Sequence, residues 1–204
     1  MLAASPYLPG GPELLYPVRT ALVAALLATV SRGVLRFRPA RPLASTAAGM
    51  AIFAVWVAPD LFFPEWHNHW LFRNTITAGV GAGAASEGAR HSFLFLLFRA
   101  GGSALVVPVA EELFWRAWMM RRLISSDFGK VPLGAYSAFS FWGTAALFAS
   151  EHGPYWDVGL VAGVVYNGWM VRTRSLADCI LAHAVTNACL AAYVLSTGRW
   201  QYWL

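Results

Sequence analysis

The chain has 204 residues, of which 58% are hydrophobic and 12% are charged, and its formal net charge is +5. Soluble domains carry about 25% charged residues, so this composition excludes a soluble globular protein. The chain also has no Lys/Arg stripe interleaved with aromatic residues, which argues against nucleic acid as a partner. Several continuous apolar runs reach about 18 residues, the length of a helix that crosses a bilayer. We therefore predict an all-α, polytopic transmembrane helical bundle surrounded by membrane lipids.

The apolar runs predict about six spans, six plus or minus one, at residues 16–34, 45–63, 93–123, 133–150, 156–171 and 176–195. The run at 93–123 is too long for one straight span, and Gly101, Gly102 and Pro108 are positions where it could break or bend. Between the second and third runs, the polar start and Gly/Ala-rich end of residues 64–92 predict a loop with a short interfacial or re-entrant piece.

Basic residues predict the orientation of the bundle. Three alternate loops hold most of them: Arg32, Arg36, Arg38 and Arg41 in the first, Arg121, Arg122 and Lys130 in the second, Arg172 and Arg174 in the third. Because Lys and Arg are enriched in cytoplasmic loops, we predict that these three loops are cytoplasmic. Both termini then lie on the opposite side.

Glu111, Glu112 and Arg116 interrupt the apolar segment of residues 106–123. Ionisable groups at membrane depth are costly and usually functional. Glu112 and Arg116 are four residues apart, so they share a helix face and can form an ion pair. Glu111 points about 100° away and has no obvious partner; such a carboxylate could act as a general base. The alternatives are a purely structural ion pair or an interfacial charge cluster.

Two further polar groups lie in or at the end of apolar spans. His152 closes the span at 133–150, where it could also be an ordinary interfacial residue. His183 and Asn187 are four residues apart on one face of the last span. They could bind a metal, stabilise an oxyanion, or hydrogen-bond to a neighbouring helix.

Distances along the helices predict which of these groups can meet. Glu111 lies roughly 15 Å before the basic boundary at residues 121–122, and His183 lies roughly 14 Å after Arg174, at 1.5 Å per residue. The two side chains are therefore expected at similar depth. His152 is expected near the far interface, unless its helix begins late, tilts strongly or is short.

Together the motifs resemble the type II CAAX prenyl endopeptidases and their bacterial CAAX protease and bacteriocin-processing relatives. The pattern EExxxR, FxxxH and HxxxN is present as EELFWR at 111–116, FASEH at 148–152 and HAVTN at 183–187. The resemblance covers about residues 95–197. It implies a protease-like helical core in residues 91–204. Residues 1–90 would add N-terminal spans and a connecting loop region to the same structural domain.

The resemblance implies an intramembrane endopeptidase that hydrolyses a membrane-associated peptide or protein tail through a Glu-activated water. The residues that match the family's motif are Glu111, Glu112, Arg116, His152, His183 and Asn187. By analogy, Glu111 with His152 would activate the water, and His183 with Asn187 would stabilise the oxyanion. Glu112 would be the companion carboxylate and Arg116 its support. The resemblance implies no cofactor.

Three alternatives remain open at this point. A zinc ion could be bound by Glu111 or Glu112 with His152 and His183. The same polar residues could instead lock helices together in a membrane scaffold or a bacteriocin-immunity-type protein. A small transporter is the third alternative. The resemblance also suggests a bacterial inner-membrane protein, of a subgroup that includes companions of exosortase systems.

Overall fold

The computed structural model describes residues 11–31, 33, 35, 37–73 and 87–203. Within these residues every regular element is helical. The elements are α1 (Gly11–Val30), α2 (Pro42–Phe62), α3 (Glu87–His91), α4 (Phe93–Arg122), α5 (Ala138–Ser150), α6 (Trp156–Thr173) and α7 (Leu176–Thr197). Short 3₁₀ turns lie at Trp66–Asn68, Phe128–Lys130, Gly153–Tyr155 and Trp200–Tyr202.

The predicted all-α membrane bundle is confirmed, and each of the six apolar runs coincides with a helix. Helices α2, α4 and α7 are long and apolar enough to cross a membrane, and α1 and α5 contain shorter apolar segments. The chain is thus an integral membrane protein. The Gly/Ala-rich piece that was predicted to be interfacial or re-entrant falls on residues 74–86, which lie outside the described residues.

Two predicted boundaries were wrong. Helix α1 ends at Val30, four residues before the end of its apolar run. Helix α5 begins at Ala138 rather than at residue 133, because Ser137 is extended and its hydroxyl accepts a hydrogen bond from the Ser140 amide. Gly134, at φ +74°, also keeps the preceding segment out of the helix. Apolar composition continues through the start of α5, so composition alone could not place that boundary.

Helix α4 runs unbroken through the glycines that were considered as break points. Gly102 opens a π-helical turn, Gly102–Val106, just before Pro108. A Cβ on Gly102 would lie 2.8 Å from Cγ2 of Thr20, so this glycine allows α1 to approach closely. A second π-helical segment, Leu113–Met119, follows the two glutamates. Such segments often occur at functional sites.

Helices α2 and α7 are parallel neighbours that begin at the same end of the bundle. The carboxylate of Asp178, in the first turn of α7, accepts hydrogen bonds from the amides of Ala40 and Arg41 and from the hydroxyl of Ser45, each at 2.8 Å. A carboxylate at this position satisfies amides at the start of α2 and complements its helix dipole. This contact fixes the two helices in register.

The loops predicted to be cytoplasmic meet at this end of the bundle. Arg41 contacts Asp178, and a Cβ built on Gly134 would lie 2.9 Å from Cγ of Arg174. Arg32 and Arg36 of the first basic loop lie outside the described residues. The shared position agrees with the charge pattern, while the cytoplasmic assignment itself stays a prediction.

Gly49→Ala is expected to destabilise the α2–α7 contact. The added Cβ would lie 2.3 Å from the carbonyl oxygen of Ala182 and 2.8 Å from Cβ of Val185. Such overpacking typically costs about 1–3 kcal/mol, and it would show as a lower unfolding midpoint in detergent. Gly168→Ala in α6 is the matched control, since nothing lies within 4 Å of its added Cβ. Equal midpoints for the two variants would contradict the close approach.

Candidate active site

A fully buried ion pair lies at the centre of the bundle. Glu112 and Arg116 each have 0% of their surface exposed, and Nη1 of Arg116 donates to Oε1 of Glu112 over 3.1 Å. The ion pair predicted from the four-residue spacing is therefore present. A buried charged pair is stable only when its remaining donors and acceptors find partners, so its surroundings decide what it can do.

Arg116 is held by aromatic rings and an amide. Its guanidinium carbon lies 4.5 Å from the ring centre of Phe148 and 5.1 Å from that of Tyr166, which are cation–π distances. Nε donates to Oδ1 of Asn167 over 3.2 Å. Asn167 in turn donates through Nδ2 to the carbonyl of Phe141 on α5. The arginine thus joins α4, α5 and α6.

His183 shares the same glutamate. Its Nδ1 lies 2.8 Å from Oε1 of Glu112, so Nδ1 carries a proton that it donates to the carboxylate. The imidazole stacks on Tyr166, with ring centres 4.8 Å apart. The Tyr166 hydroxyl donates to Oγ1 of Thr186, which donates to the carbonyl of Gly49. These contacts fix the orientation of His183 and leave Nε2 on the side of Glu111.

Glu111 differs from its neighbour in both exposure and contacts. Its side chain is 29% exposed, against 0% for Glu112. Oε2 of Glu111 lies 3.9 Å from Nε2 of His183, which is beyond a normal hydrogen bond. The expected similarity in depth of Glu111 and His183 agrees with this distance. Glu111 is therefore the accessible carboxylate, and the ion pair behind it is sealed.

His152 reaches the cluster because α5 is short. Helix α5 has 13 residues and is about 20 Å long, less than the roughly 30 Å of a bilayer core. The turn that follows it therefore lies deeper than a full-length span would place it. Of the expected ways for His152 to approach, a late start and a shortened helix are the ones observed.

The His152 ring lies in an aromatic enclosure. Its centre is 5.2 Å from Trp56 and 4.6 Å from Phe148, and a Cβ on Gly159 would lie 3.1 Å from its Cγ. Nδ1 lies 2.8 Å from the carbonyl oxygen of Phe148. A carbonyl only accepts, so Nδ1 carries the proton, and Nε2 of the neutral ring is an acceptor. Phe148 also contacts His183, with ring centres 6.2 Å apart.

Asn187 lies beside the cluster rather than in its hydrogen-bond network. Its Nδ2 donates to the carbonyl oxygen of Ser103 over 2.8 Å, in the π-helical turn of α4. The amide has two N–H groups, so one remains after this contact. The observed bond links α4 and α7, as the helix-packing alternative expected.

The structure thus brings Glu111, Glu112, Arg116 and His183 into direct contact and places His152 against the same phenylalanine. Sequence reasoning missed Asn167 and Tyr166, which hold Arg116 and His183. Asn167 could have been found by the criterion used elsewhere, because it is an amide inside an apolar span. Tyr166 gave no such signal, since tyrosine is common in membrane helices.

The described residues include no group of three or more His, Cys, Asp or Glu side chains that could hold a metal ion. Within them, Oε2 of Glu112 and Nη2 of Arg116 are buried without a hydrogen-bond partner. The expectation that the site needs no cofactor stays a prediction.

Comparison with known protein families finds one similarity in the part of the chain that holds this cluster. The family model "Type II CAAX prenyl endopeptidase Rce1-like" matches residues 91–189, a segment that holds all six predicted site residues. No curated protein and no solved structure matches the chain. The matched segment begins just before α4 and ends within α7, so it covers the helices that build the site. The resemblance that the motifs indicated is thus confirmed over residues 91–189, where the chain is similar to the Rce1-like family of type II CAAX prenyl endopeptidases.

Proposed function

We propose that the protein is an intramembrane endopeptidase that hydrolyses a membrane-associated peptide or protein tail. Glu111 is the general base and takes a proton from the attacking water, and Nε2 of His152 accepts a hydrogen bond that orients this water. The oxygen adds to the scissile carbonyl, and its proton passes through Glu111 to the leaving amine. No cofactor takes part in this scheme.

His183 and Asn187 supply the donors for the tetrahedral intermediate. In the protonated imidazole, Nδ1–H stays on Glu112 and Nε2–H is free to donate to the oxyanion. The second N–H of Asn187 is the other donor. Preorganised donors of this kind contribute a large share of transition-state stabilisation. Glu112 and Arg116 act through His183 and hold its ring in place.

The difference between the two adjacent glutamates is the observation that carries the proposal. Glu112 is sealed and bound on Oε1 by Arg116 and His183, whereas Glu111 is 29% exposed and lies 3.9 Å from the free nitrogen of His183. A structural ion pair needs only Glu112. A carboxylate that is 29% exposed and lies beside an oriented histidine is not needed for that pair, and it suits a base that must meet water and substrate.

A membrane scaffold is the second candidate function. The bond from Asn187 to the Ser103 carbonyl favours it, because this bond already uses the amide for helix packing. In a scaffold the polar cluster would hold α4, α6 and α7 together without chemistry. The two functions differ in one observable result, which is whether any polypeptide in the membrane changes in size.

The proposed setting is a bacterial inner membrane with the basic loops on the cytoplasmic side. An association with exosortase systems belongs to the same proposal. The bacterial setting and this association follow from the resemblance, and the orientation follows from the charge pattern. Proteins with a membrane-associated sorting tail are then candidate substrates.

His152→Ala is expected to cause an uncleaved precursor to accumulate in the membranes of the native host. The alanine removes the Nε2 acceptor while the α5 helix and the Glu112–Arg116 pair remain. Comparison of membrane proteomes between wild type and variant detects the precursor as a polypeptide with extra terminal residues. This measurement also identifies the substrate.

His69→Ala serves as the matched control, because His69 is exposed and its Nδ1 accepts a bond from the Leu71 amide of its own loop. A precursor that accumulates in the His152 variant alone supports the protease. Well-folded variants with no polypeptide of altered size would favour the scaffold instead.

A further inference from the structure

A second buried histidine lies outside both the proposed site and the matched family segment. His67, in the 3₁₀ turn after α2, is 5% exposed. Its Nδ1 lies 2.6 Å from Oδ1 of Asp60, and its Nε2 lies 3.1 Å from Oδ1 of Asp157. Asp60 belongs to the last turn of α2, and Asp157 to the first turn of α6. The imidazole thus bridges the ends of two helices.

The imidazole of His67 is positively charged when it donates to both carboxylates. A neutral imidazole has one N–H, so it can donate to only one carboxylate, whereas the protonated ring donates to both. Burial lowers the pKa of His67, but the hydrogen bonds and charges of Asp157 and Asp60 outweigh it, and the pKa is raised above its usual 6.5. The other titratable or charged groups nearby are Tyr155, Tyr202, Arg73, Glu65 and His69.

The bridge and His152 share their supports. On α2, Trp56 lies one turn before Asp60 and contacts the His152 ring. In the turn between α5 and α6, Tyr155 contacts His67 with ring centres 4.3 Å apart and stacks on Trp56 at 6.5 Å. His152 therefore lies between two elements that His67 ties together, and Trp66 adds a 2.9 Å bond from Nε1 to Asp157.

We propose that His67 is a positioning residue for His152. It acts by clamping the end of α2 to the start of α6 through Asp60 and Asp157. The inference rests on the role proposed above for His152. With the clamp closed, Trp56 and the turn at Gly153–Tyr155 hold the His152 ring in its enclosure. With His67 neutral, one of the two carboxylates loses its hydrogen bond from the imidazole, and the clamp between the two helix ends is weaker.

The test is the rate at which diethylpyrocarbonate modifies His152 in the purified full-length protein, read by mass spectrometry. His67→Gln should raise this rate severalfold at pH 6, and His69→Gln, in the same loop, should leave it unchanged. The difference between wild type and His67→Gln should shrink as the pH rises through the raised pKa of His67. Both proteins are compared at each pH, so the pH dependence of the reagent itself cancels.

Selectivity separates positioning from general destabilisation. A rise confined to His152, with buried His183 unmodified, supports the clamp; an equal rise at every histidine, or no rise in a folded variant, overturns it. If His67→Gln fails to fold, Asp157→Asn weakens one side of the bridge and should give the same selective rise. The assay needs no substrate. Failure of the protease proposal would instead appear as absence of cleavage by wild type, whatever the modification rates.

The sign of the pH effect on stability follows from the same bridge. Because folding raises the pKa of His67, the bridge contributes its full stability below about pH 6.5 and loses it as the pH rises through the folded-state pKa. Thermal unfolding of wild type should show this loss, and His67→Gln should not show it.

Discussion

Glu111→Gln is expected to lower peptide hydrolysis by roughly 10²–10⁴-fold, the contribution that a positioned general base usually makes. Glutamine keeps the size and the hydrogen-bonding oxygen of the side chain, but it cannot take a proton from water. The fold should persist, because Glu111 is half-buried and His183, 3.9 Å away, is bound to Glu112 through its other nitrogen. The loss should therefore appear in kcat.

The measurement is the initial rate at which the purified protein in nanodiscs cleaves the precursor identified in the host. Glu87→Gln on α3, an exposed glutamate, is the matched control and should retain the wild-type rate. A folded Glu111→Gln protein that cleaves as fast as wild type would exclude Glu111 as the base and leave the scaffold as the better interpretation.

Glu112→Gln, unlike Glu111→Gln, should cause a large loss of stability. Glu112 is fully buried and binds both Arg116 and His183 through Oε1. Without its charge, the guanidinium of Arg116 stays buried with no counter-ion in contact, which typically costs about 3–5 kcal/mol. Activity should also fall, because His183 loses the acceptor that fixes its ring.

Unfolding of the two glutamine variants in detergent by a denaturant titration compares these costs directly. Glu111→Gln is the matched control, since it makes the same chemical change one residue away on the same helix. Equal free energies of unfolding for the two variants would show that the buried pair does not anchor the bundle. They would also contradict a structural role for Glu112 that Glu111 does not share.

The helices and the central ion pair could be predicted from the sequence because both depend on local spacing. Apolar run length gives the spans, and the four-residue step from Glu112 to Arg116 gives the pair. Depth counted from the basic loops also predicted a similar depth for Glu111 and His183, because regular helices convert residue number into distance. Each piece of the family motif also spans only five or six residues, at 111–116, 148–152 and 183–187, so it can be read directly from the sequence.

The parts that could not be predicted depend on contacts between distant residues. The clamp at His67 joins residues about 90 apart in sequence, and Asn167 meets Arg116 across 51 positions. The position of His152 depended on where α5 begins, and an extended Ser137 set that point where apolar composition gave no break. Periodicity shows which face of a helix is polar, but not which neighbour that face meets.

The contact between Asp178 and the start of α2 has a consequence for the order in which the protein can be made. Ser45 and Asp178 are 133 positions apart, so the ribosome releases α2 long before its partner exists. Until α7 is inserted, the first amides of α2 lack their carboxylate and the tight face at Gly49 has nothing to cover it. The packing of α2 is therefore completed only after α7 has been inserted. A nascent chain that stalls before that point exposes these unpaired groups to membrane quality control.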